Sequence, residues 1–79
     1  MRTIDQITAE LNSEREERDY INSRIDRWQG TLGDLTPGTR EHSNAIHRLI
    51  SLNIRLDETE ALIRALRAER DEARALLAA

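Results

Sequence analysis

Every helix breaker in this chain lies within one ten-residue stretch. Gly30, Gly33, Pro37 and Gly38 fall between positions 30 and 39, and the chain has no other Gly or Pro. On both sides of that stretch, apolar residues recur at steps of three and four. A chain interrupted once, near its middle, and periodic on either side reads as two long helices joined by a turn. The predicted fold class is therefore all-α, an antiparallel coiled-coil-like helical hairpin. One domain covers residues 1–79, with a helix over about 4–29, a loop over 30–38 and a second helix over about 39–77.

The first helix has a start signal. Thr3 and Gln6 have the spacing of a capping box, in which each side chain satisfies the other's backbone N–H. The apolar seam then runs through Ile4, Ile7, Leu11, Ile21, Ile25, Trp28 and Leu32, with a gap filled by Glu14 and Arg18. Gly30 is a natural helix terminator, because glycine accepts the left-handed conformation found after many helix ends. Thr36 before Pro37 reads as a cap with a first helical proline. Thr39 is a second possible cap.

The second helix has its best seam at Ala45, Leu49, Leu52, Leu56, Thr59, Ile63, Leu66, Arg70, Ala73 and Leu77. Ile50, Ile54, Leu62 and Leu76 lie off it. One apolar stripe buries one face, so additional stripes ask for additional neighbours.

A symmetric fold about a long loop sets residues opposite each other when their numbers sum to roughly 67, at helical rise. Ile21 then faces Ile46, Leu11 faces Leu56, and Ile4 faces Ile63. Glu14 and Arg18 come near Asn53, which predicts a mid-hairpin polar layer of Glu14, Arg18 and Asn53. Trp28 is expected to anchor the closed end against Leu32, Leu35 and His42 or Ala45. The second helix should overshoot the first by roughly 20 Å.

Composition excludes several classes of function. There is no Cys, hence no disulfide and no cysteine zinc site. His42 and His47 are five residues apart, the wrong spacing for two ligands on one helical face. The Gly spacing matches no phosphate loop, and no nucleophile has a base and pocket beside it. No enzyme activity, cofactor or metal is expected. No apolar run reaches the roughly 18 residues of a membrane span, and the N-terminal residues do not read as a secretory leader. A cytoplasmic location follows, or a host cytoplasm if the chain is phage-encoded.

All twelve basic residues are Arg, against fifteen acidic residues, for a net charge of −3. GC-rich coding favours Arg over Lys, as in actinobacteria and their phages. Residues 36–79 carry seven basic and seven acidic side chains, so the second helix is no basic stripe and nucleic acid is disfavoured.

Two short motifs bear on family. Trp28-Gln29-Gly30 is similar to the Trp-x-Gly turn of small secreted helical-hairpin proteins of Gram-positive bacteria. That family continues almost directly into its second helix, whereas a long loop follows here. Gly33-Asp34-Leu35 at the tip resembles the coiled-coil finger of transcript-cleavage factors that enter RNA polymerase, without that family's globular domain. No family is assigned from either motif.

An isolated hairpin of this size buries little apolar surface, so self-association is expected. The expected assembly is a dimer forming a four-helix bundle. The expected function is a non-enzymatic protein–protein interaction module that also binds a heterologous protein. Its interface would use Ile50, Ile54, Leu62, Leu66, Leu76 and Leu77. One alternative is a regulator of a host enzyme or RNA polymerase acting through the tip residues Asp34, Leu35, Arg40 and Glu41. A further alternative is a nucleic-acid-binding dimer using the arginines of the second helix.

Overall fold

The computed structural model describes residues 2–79 and contains two helices, α1 (Ile4–Asp34) and α2 (Arg40–Ala78). They run antiparallel as a hairpin 60 × 14 × 14 Å in extent. No strand occurs among the described residues.

The capping box at the start of α1 is formed. The Gln6 amide donates to Thr3 Oγ1 at 3.1 Å, and the Thr3 amide donates to Gln6 Oε1 at 2.9 Å. This gives two of the donors at the helix start a partner, where the backbone supplies none.

The turn departs from expectation. Helix α1 runs on through Gly30 and Gly33 to Asp34, and only residues 35–39 are non-helical. A glycine in a helix costs about 1 kcal/mol but does not forbid it. The proline does more: it holds Thr36, the residue before it, out of the helical region, and in a continued helix its ring would clash with the Gly33 carbonyl four residues back. The chain leaves the helix at Leu35, whose backbone is extended (φ −96°, ψ 147°). Thr36 to Thr39 then form a tight turn, with the Thr39 amide donating to the Thr36 carbonyl at 3.3 Å. Proline second and a positive-φ glycine third is the type II turn pattern, and Gly38 sits at φ +87°. Thr39, not Thr36, caps α2: its Oγ1 accepts from the His42 amide at 3.2 Å.

This shorter turn moves the register by nearly two helical turns. Leu11 clusters with Ile63, and Ile21 with Leu52. Arg2 pairs with Glu69 and Arg55 with Glu17. The expected pairs of Ile21 with Ile46 and Leu11 with Leu56 do not form. The overhang of α2 shrinks accordingly, since Arg2, just before α1, pairs with Glu69.

The seam itself is as the periodicity predicts, with Ile7, Leu11, Ile21, Ile25, Ala45, Leu52, Thr59, Ile63 and Leu66 buried. The core has two parts. Ile7, Leu11, Ile63 and Leu66 form one cluster near the open end. Ile21, Ile25 and Leu52, with Trp28, Leu49 and Leu56 against them, form the other near the turn. Between the clusters lie Glu14 and Arg18 of α1 and Thr59 of α2, where the apolar seam is broken.

Candidate functional site

The outward face of α2 carries the most exposed apolar surface. Ile46, Ile50, Ile54, Asp57, Ala61, Ala65, Ala68, Glu72 and Leu76 follow steps of three and four, and all are exposed. Ile50, Ile54 and Leu76 are each more than half exposed, at 53%, 54% and 57%. These residues lie opposite the seam that packs on α1. Two apolar stripes on opposite sides of one helix need two neighbours, and the hairpin supplies only one. The outer face of α1 is polar by comparison, with Tyr20 as its one large exposed apolar side chain.

The residues assigned to an interface from sequence divide. Ile50 and Ile54 lie on the outward stripe, and Leu62 sits on its flank at 40% exposure. Leu66 does not belong with them. It is 1% exposed inside the hairpin core. The expected register placed it beyond the end of α1, whereas the observed register packs it with Ile7. Leu76 and Leu77 line an apolar groove of about 350 Å³ at the open end, with Arg2, Thr3, Ile4, Asp5 and Ala73. Ile46, Ala61, Ala65 and Ala68 complete the stripe and were missed. Their three–four spacing was visible, but alanines carry little signal when a helix is scanned for large apolar side chains.

The expected polar layer is not assembled. Arg18 donates to its neighbour Asp19 at 3.4 Å. Asn53 is exposed, and its Nδ2 donates to the Leu49 carbonyl of its own helix at 2.9 Å. The polar residue that enters the seam is Thr59, at 8% exposure. The cause is again the register, which brings position 59 rather than 53 across from Glu14.

Trp28 is half-buried and packs on the turn-side cluster, with the Arg48 guanidinium over its ring at 5.6 Å from the centroid. The tip residues Asp34, Arg40 and Glu41 are exposed and Leu35 is half-buried. His42 is half-buried and gives its amide to the α2 cap. Among the described residues, no group of three His, Cys, Asp or Glu side chains could hold a metal ion. No described helix is long and apolar enough to cross a membrane.

Comparison with known protein families, curated proteins and solved structures finds no match. The Trp-x-Gly resemblance also loses its structural basis, because Trp28 to Gly30 lie inside α1 rather than at a turn.

Proposed function

We propose that this chain is a non-enzymatic protein–protein interaction module that self-associates through the outward face of α2 and presents its open end to another protein. The observation that carries this reading is the exposed Ile46–Ile50–Ile54 row on a helix whose other face is already packed. Each of these side chains is already about half covered, so covering the remainder of one contributes about 1 kcal/mol. A thin hairpin with two small core clusters gains much from that.

The stripe suits a second copy running antiparallel, with Ala61 at the centre. A two-fold contact is self-complementary, so residues equally far from the centre meet. Ile54 then meets the partner's Ala68, Ile50 meets the aliphatic stem of the partner's Glu72, and Ile46 meets the partner's Leu76. The Ile54–Ala68 layer sets large opposite small and can interdigitate, and Ile46 with Leu76 closes each end of the contact. Asp57 and Arg64 flank Ala61, so each Asp57 comes beside the partner's Arg64. Both side chains are exposed, and neither pairs within its own chain among the described residues.

At the open end, the part of the apolar groove formed by Leu77, Ala73 and Ile4, away from the Leu76 used in the self-contact, supports capture of a heterologous protein. The alternative in which the tip enters a host enzyme rests on the exposure of Asp34, Arg40 and Glu41 alone.

Absolute mass by light scattering, taken over a wide concentration range, tests the reading. A mass of two or four chains supports it, and a folded monomer throughout overturns the self-association.

A further inference from the structure

The tip-side flank of the hairpin gathers arginines that the sequence scatters. One groove of about 340 Å³ is lined by Tyr20, Arg24, Arg48, Ser51, Leu52 and Arg55. A second, of about 540 Å³, continues it along α2 past Asn44 and His47, sharing Arg48 and Ser51. No carboxylate lines either groove. In α2 there is no acidic residue between Glu41 and Asp57, so this half of the helix is locally basic within a chain of net charge −3. Counting charges over the whole helix hid that segregation.

The guanidiniums are held rather than free. Arg24 lies over the Tyr20 ring at 5.7 Å and donates to the Tyr20 hydroxyl at 3.4 Å. Arg48 lies over Trp28 at 5.6 Å. A ring beneath a guanidinium orients it without neutralising its charge. Neither Arg24 nor Arg48 pairs with a carboxylate among the described residues, whereas Arg55 is paired with Glu17. Tyr20 remains 53% exposed beside them.

We infer that this flank is a binding groove for single-stranded nucleic acid. Arginines along a groove suit a phosphate backbone, and a half-exposed aromatic ring suits base stacking. Ser51, Asn44 and His47 add donors along the same track. The inference is independent of self-association, which uses the adjoining isoleucine face.

The test is fluorescence anisotropy of a labelled oligo-dT of about 12 nucleotides with the full chain, titrated at several salt concentrations. Binding is expected, and each phosphate contact adds roughly 0.7 to the steepness with which log affinity falls against log salt. Arg24→Ala and Arg48→Ala should each make the fall shallower by about that amount. Tyr20→Ala should weaken binding about fivefold or more. Arg67→Ala, away from the groove, should change neither quantity. Circular dichroism of every variant separates lost binding from lost folding. Three results overturn the inference: no binding at low salt, unchanged binding in the folded Arg24→Ala/Arg48→Ala double variant, or equal competition by a polyglutamate of matched charge. The last would assign the groove to acidic polypeptides.

Discussion

Ile7 of α1 and Leu66 of α2 are each 1% exposed and belong to one buried cluster. That pairing sets the register of the hairpin. It draws a leucine that an outward interface could have used into the intramolecular core.

Truncating Leu66 should therefore be costly. Leu66→Ala is expected to lose about 2–5 kcal/mol, the range for a buried leucine. Leu77, at 77% exposure, should lose less than about 0.5 kcal/mol on the same change. Urea unfolding followed by circular dichroism, at one fixed protein concentration, compares the two. Equal losses would refute the register.

The glycines should respond with opposite signs. A Cβ at Gly30 or Gly33 meets nothing within 4 Å, and both positions are helical. Gly30→Ala and Gly33→Ala should each stabilise by about 0.5–1 kcal/mol. Gly38 has equal space but φ +87°, so Gly38→Ala should destabilise by roughly 1–2 kcal/mol. Thermal melts of the three variants check the contrast. Stabilisation by Gly38→Ala would mean that the turn has another conformation.

The outward stripe should govern mass and not fold. Ile50→Glu with Ile54→Glu is expected to reduce the solution mass to one chain while helicity persists at high concentration. The antiparallel arrangement has its own signature in the charges. Asp57→Arg alone should weaken association by placing like charges together, and Asp57→Arg with Arg64→Asp should restore it. Light scattering reads both. Failure of the double exchange to restore mass would reject the centring on Ala61, even if the chain still self-associates.

The cap at Thr3 should matter locally. Thr3→Ala removes the acceptor for the Gln6 amide and should cost about 1 kcal/mol. Amide hydrogen exchange should show the loss in the first turns of α1, beside Arg2 and its pairing with Glu69. Even loss of protection along the whole hairpin would instead indicate one cooperative unit, with no local opening at the cap.

Periodicity and punctuation alone determined a good deal. The all-helical class, the hairpin, the Thr3–Gln6 cap and the seam positions from Ile7 to Leu66 follow from local rules. A 3.6-residue repeat fixes which face is apolar, and a capping box acts within one turn. The excess of apolar faces on α2 was visible for the same reason.

The pairing of the two helices was decided only by tertiary structure. Where α1 ends depends on whether Gly30 or Pro37 stops it, and a helix tolerates the glycine at modest cost. Five further residues of helix shift every facing pair. That shift covered Leu66 with Ile7 instead of leaving it beyond the end of α1, brought Thr59 rather than Asn53 across from Glu14, and put Trp28 under Arg48. The arginine groove likewise exists only after folding. Arg24, Arg48 and Arg55 come from two helices, and charges summed along the chain carry no information about which face they share.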